Sequence, residues 1–207
     1  MAHELTTVPR ATSTPHHDAS TAFVLGALFG VLGVAVATGV TQPLDDTIRR
    51  CQPRPRRGAA RSMAEGIKEV FRPEGQIVMS VVASLVLERR DVPRAYRVAT
   101  AVACTVLIDK AIKKLVDRRR PPGYRGHQTC ESFPSGHTAA AVAMAVTVSH
   151  LLRRSGDPAA SRATVGAWAT SALIAESRLL LDDHWPSDVV GGALLGGVVA
   201  HAVLMRS

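Results

Sequence analysis

The sequence predicts an all-α protein, a bundle of six helices crossing a membrane. Three observations predict it. Residues 21–40 form an uninterrupted apolar run, about 30 Å long as a helix and enough to span a bilayer. Five shorter apolar runs follow, roughly at 76–87, 98–108, 138–152, 163–175 and 189–205. The basic residues gather between these runs rather than inside them.

At 207 residues one domain is expected, residues 21–207, preceded by a disordered tail over residues 1–20 that is rich in Thr, Ser, Pro and His. No small-residue cleavage site follows the first apolar run, so a secretory signal peptide is not expected. In that run Gly26 and Gly30 are spaced to let another helix approach closely. Residues 41–75 break the apolar pattern. The basic stretch Gln52-Pro53-Arg54-Pro55-Arg56-Arg57-Gly58 cannot be a regular helix and reads as an interfacial loop. A short amphipathic helix over 61–71 should follow it, its basic residues anchored to anionic headgroups.

By length alone several later runs would suit the core of a soluble protein. The first span and the punctuating arginines decide for a membrane. Arg89, Arg90, Arg94 and Arg97 lie between the second and third runs, Arg153, Arg154 and Arg162 between the fourth and fifth. Such side chains snorkel to the interface and lengthen a short span. The fourth run is rich in Ala and the sixth carries Gly191, Gly192, Gly196 and Gly197, so these helices should pack closely.

A net charge of +8 and a pI near 10.2 suit nucleic acid, a membrane surface or an anionic substrate. Few aromatics interleave with the basic residues and no nucleic-acid recognition motif is present, which argues against nucleic acid. Cys51, Cys104 and Cys130 are too few for a disulfide framework. Free thiols are expected, with a Cys51–Cys130 pair as the alternative in an oxidising compartment.

Three short stretches carry chemistry. In residues 177–188, Ser177, Arg178, His184 and Asp188 combine an anion-binding fork, a nucleophile and an orienting carboxylate. Pro186 suits a first helical turn, which lets Asp188 turn back to one ring nitrogen of His184 and leave the other free. Pro134-Ser135-Gly136-His137 puts a second histidine at the start of an Ala-rich helix, and Lys113 and Arg120-Pro121 precede it. Read without context, each is a helix end or a solvated charge.

Together the stretches fit the pattern K-x6-RP, PSGH, SR-x5-H-x3-D, with every signature position filled. The chain thus resembles the PAP2 (type 2 phosphatidic acid phosphatase) superfamily of membrane lipid phosphatases, over residues 110–190 directly. The resemblance implies the PAP2/haloperoxidase-like helical core and an enzyme that cleaves a lipid phosphate through a phosphohistidine. In it His184 is the nucleophile, Asp188 orients it, and His137 protonates the leaving oxygen. Lys113, Arg120, Arg178, Ser135 and the Gly136 amide would hold the phosphoryl group. Similarity to bacterial polyprenyl-pyrophosphate phosphatases implies an undecaprenyl-type carrier of cell-wall synthesis as first substrate and an outward-facing site in a bacterial plasma membrane. Phosphatidate and phosphatidylglycerophosphate are the alternatives. Soluble acid phosphatases and vanadium haloperoxidases share the pattern, but the first span counts against them.

Six spans put all three motifs on one face, the first just after helix three, the second just before helix four, the third between helices five and six. No cofactor is expected, and no metal, because the sequence has no metal-ligand spacing. Asp182 and Asp183 beside His184 are expected to face solvent. His150 and His201 are expected to have no function.

Overall fold

The computed structural model describes residues 15–52, 57–155 and 160–205. Among these the regular structure is all helical, with eight helices: α1 (Pro15–Ala37), α2 (Gln42–Cys51), α3 (Ala59–Val70), α4 (Pro73–Glu88), α5 (Arg97–Val116), α6 (Gly136–Ser155), α7 (Ala160–Leu180) and α8 (Pro186–Met205). Five of the six apolar runs lie wholly within α4, α5, α6, α7 and α8, while the first, 21–40, passes three residues beyond the end of α1.

Among the described residues, by length and composition, only α1 from Asp18 and α8 are single helices apolar enough to cross a membrane. The pair α3–α4 qualifies as a third span if it is taken together across its 64° bend. The other long helices carry charge within them, such as Arg97, Asp109 and Lys113 in α5. The six-span count is therefore not reproduced on this criterion.

Helix boundaries differ from the apolar runs in ways that matter for the site. Residue 108 ends the third run, yet α5 continues for two more turns and stops where Asp117 adopts a left-handed φ of 43°. Lys113 thus lies on the helix and not after it. Arg178 is likewise in the last turn of α7. At the amino terminus α1 begins at Pro15, so residues 15–20, expected in the tail, are helical. Pro fits there because a first-turn residue needs no amide donor. Asp18 is buried, with its carboxylate 3.1 Å from His201 of α8 and 3.9 Å from His150 of α6. The remaining tail residues, 1–14, lie outside the described residues. Arg97, expected at the interface, is buried and donates to the Leu204 carbonyl.

Helix α6 is the centre of the bundle and packs on α8, α7 and α5. Its Ala139, Ala140 and Ala143 are fully buried. A Cβ on Gly192 or Gly196 of α8 would collide with the carbonyl of Ser135 or Ala139, so glycine is what permits this spacing. At one end of the bundle Leu87, Val98, Leu151, Leu152 and Leu204 form an apolar cluster. The other end collects the carboxyl termini of α5 and α7 and the amino termini of α6 and α8, and there the motifs meet.

Candidate active site

Two helix starts are tied together at this end, since the Ser135 amide donates to the Asp188 carbonyl at 2.9 Å. First-turn amides have no partner within their own helix, so Gly136 and His137 present donors toward the same region. The Ser135 hydroxyl is fully buried and shares a hydrogen bond with the Thr138 hydroxyl at 3.0 Å.

His184 sits in the tight connection between α7 and α8 and is buried. Its Nδ1 lies 3.5 Å from Asp188 Oδ2, at the outer edge of hydrogen-bonding reach, and has no better partner among the described residues. Burial lowers the imidazole from the ordinary 6.5 to about 4. Arg120 and Lys113 push the same way, against the raising influence of Asp188. His184 is therefore neutral at physiological pH, the form a nucleophile requires.

Asp188 is fully buried and saturated. Arg118 donates to Oδ1 at 2.6 Å, while the Ser132 hydroxyl and the Trp185 amide, at 2.8 Å, donate to Oδ2. Arg118 also reaches Asp45 of α2 at 2.7 Å and lies over the Trp185 ring. Asp45 accepts from both the amide and the hydroxyl of Ser187. A chain of buried charges thus runs from α2 through Arg118 to the carboxylate beside the nucleophile.

The expected cations all lie at this end. Arg178 is completely buried, and its guanidinium contacts Ser177 Oγ and Asp183 Oδ2, the latter at 3.2 Å. Arg120 donates to the Asp183 carbonyl at 2.6 Å and stacks on Tyr124. Lys113 pairs with Asp109 one turn back on α5. That pair passes directly against Gly136, where a Cβ would run into both side chains. His137 is held near the Lys68 carbonyl, 3.4 Å from Nε2, with the cations Arg178 and Lys113 and the imidazole of His184 as neighbours.

Asp183 does not face solvent. It is 5% exposed and pairs with Lys68 as well as Arg178. Burial of Arg178 requires a counter-charge, and Asp183 supplies it. Asp182 is largely covered too, paired with Arg49 at 2.9 Å. Lys68 lies on α3, the helix expected only to anchor the chain to headgroups. Five contributors were not singled out from the sequence: Asp45, Lys68, Asp109, Arg118 and Ser132. Arg118 left the nearest signal, two residues before the motif arginine, but three consecutive arginines look alike until a partner separates them. Cys51, Cys104 and Cys130 are free thiols.

A buried neutral histidine backed by a carboxylate, ringed by cations and two helix starts, is an arrangement able to hold an anion and attack it. The structure superposes on the transmembrane PAP2-type phosphatidylglycerolphosphate phosphatase of Bacillus subtilis with a TM-score of 0.76 and 22% identity, over 89% of this chain and 94% of that one. Comparison with curated proteins gave no match. Residues 94–206 match the PAP2 superfamily; the chain belongs to that superfamily and is a phosphatase.

Proposed function

We propose that the protein is an integral membrane phosphatase that hydrolyses the phosphate or diphosphate ester of a lipid. The observation that carries this reading is the convergence of His184, His137, Lys113, Arg120 and Arg178 at one end of a bundle clad in exposed apolar side chains. Phe23, Val31, Val78, Leu107 and Val165 on four different helices are each more than 60% exposed, a girdle that suits hydrocarbon. In this reading all six long helices span the bilayer, their basic and polar ends at its surfaces. An apolar cavity of about 650 Å³ between α1, α6, α7 and α8 runs from Thr138, one turn beyond Ser135, to His150 and His201. It offers a lipid chain a berth beside the site.

His184 Nε2 attacks phosphorus, forming the N–P bond as the bond to the leaving oxygen breaks. His137, having taken up a proton as the phosphoryl anion arrives, gives it to that oxygen and recovers one from the water that attacks next. Water then attacks the phosphohistidine and the N–P bond breaks, returning neutral His184 and free phosphate. Asp188 holds Nδ1 and stabilises the imidazolium between the two steps. Arg178, Arg120, Lys113 and the α6 amides neutralise the charge that a metal ion would otherwise offset.

Polyprenyl diphosphate is the substrate expected first from the sequence, with phosphatidate and phosphatidylglycerophosphate as the alternatives; the last of these is the one in the structural neighbour's name. Purified protein in detergent should release phosphate from a panel of lipid phosphates in excess EDTA and be inhibited by vanadate. Turnover that vanishes with EDTA and returns with magnesium would sink the side-chain mechanism. Equal inertness toward every lipid phosphate would sink the substrate class. The site is proposed to face outward, so an impermeant thiol reagent should reach exposed Cys51 on intact cells. Labelling only after permeabilisation would reverse the orientation.

A further inference from the structure

Asp109 is, among the described residues, an acidic side chain beside the start of α6 whose carboxylate is half unused. It is 2% exposed. Oδ2 pairs with Lys113, while Oδ1 is buried and has no hydrogen-bond partner among the described residues. A buried carboxylate oxygen without a donor is costly. The Asp109–Lys113 pair lies against Gly136, at the amino terminus of a 20-residue helix, where an anion is favoured. In the absence of substrate the carboxylate thus occupies the neighbourhood in which a phosphoryl oxygen would meet Lys113.

We propose that Asp109 is a specificity-determining residue that takes up a proton when the phosphoryl group binds. The inference rests on the phosphate-binding reading above. Two anions cannot share Lys113 and one helix terminus without repulsion, and a proton between them turns repulsion into a hydrogen bond. The proton comes from solvent and stays on the carboxyl, so no other bond changes. The charged groups around Asp109 are Lys113 and Lys110 on α5 and Arg120 in the following loop. On α4, Glu74 is paired with Lys110. On α6 the titratable group of the facing turn is His137. On α8, Asp188 is already held by Arg118. Lys110 is engaged by Glu74 and Arg120 by the Gln128 and Asp183 carbonyls, so relief falls to a proton. Substrates then bind with one more proton than their own ionisation requires, and the site discriminates against the most highly charged anions as pH rises.

The test is calorimetric titration of purified wild-type protein with inorganic phosphate, in two buffers of different ionisation enthalpy, between pH 6.5 and 8.5. About one proton should be taken up beyond the ionisation of phosphate itself. Asp109→Asn should abolish that extra proton and bind phosphate roughly tenfold more tightly at pH 8. Phosphate binding by the wild type without extra uptake overturns the inference and leaves the site reading intact. So does an Asp109→Asn protein with the same uptake as wild type. If the variant does not fold, the count is taken on His137→Gln protein: extra uptake that persists supports Asp109, and uptake that vanishes overturns the inference. No phosphate binding at any pH overturns the site reading and this inference with it.

Discussion

Asp188 and Asp109 are carboxylates buried at the same end of the same bundle, and they are provisioned differently. Asp188 has Arg118, Ser132 and the Trp185 amide on its two oxygens, with His184 beside one of them. Asp109 has Lys113 on one oxygen and nothing on the other among the described residues. A carboxylate with its lone pairs engaged behaves as part of the frame and holds an orientation. One with an open oxygen is a place where a proton or a ligand can go. Full satisfaction marks the fixed part of this site and incomplete satisfaction the responsive part.

The contrast breaks most violently at the nucleophile, on the Asp188 side. His184→Ala should lower turnover on any accepted lipid phosphate by on the order of a thousandfold or more, measured as phosphate release at saturating substrate. Near-normal release would remove His184 from the reaction. Next in size is the frame itself. Arg118→Ala or Asp45→Ala strips one partner from a buried charge pair, and such losses cost about 3–5 kcal/mol. Thermal unfolding in detergent should show both variants clearly destabilised, and a combined variant should lose less than the sum, because they share one network. Strict additivity would mean that Arg118 and Asp45 do not act together. The smallest effect lies in the acid limb. His184 is depressed to about 4 from 6.5, so kcat/KM corrected for substrate ionisation should not fall through a pKa of 6.5 on its account. The sign for stability follows from the same shift. The unfolded chain binds the proton more readily, so the contribution is present above pH 6.5 and is lost as pH falls toward 4. An acid limb at 6.5 that disappears in a His184 variant would show the histidine to be solvated.

What could be read from sequence was whatever has a period or a spacing. Six apolar runs appear as six long helices because burial and length leave their mark in consecutive residues. The residues of the three motifs are found together because antiparallel helices return them to one end. The contributors that escaped notice are joined over long distances along the chain. Asp45 meets Arg118 and Ser187 from a short polar helix that no apolar pattern announces. Asp183 looked like one of two acidic residues in a loop, and only the burial of Arg178 shows why its charge is needed. The beginning of α1 was drawn too late because Pro15, His16, His17 and Asp18 look like tail until His201 appears across from Asp18.

The bond between the Ser135 amide and the Asp188 carbonyl has an electrostatic consequence. Lys113, Arg178 and Lys68 each have an acidic partner, so the side chains leave the pocket with less positive potential than their number suggests. The joined amino termini of α6 and α8 add a part that belongs to the backbone, roughly half an elementary charge each. That portion has no pKa, cannot be removed by exchanging a side chain, and persists across the pH range in which the helices survive. The α8 share is already met by Asp45 at the Ser187 amide, so the backbone attraction left for an anion is written into the direction of α6.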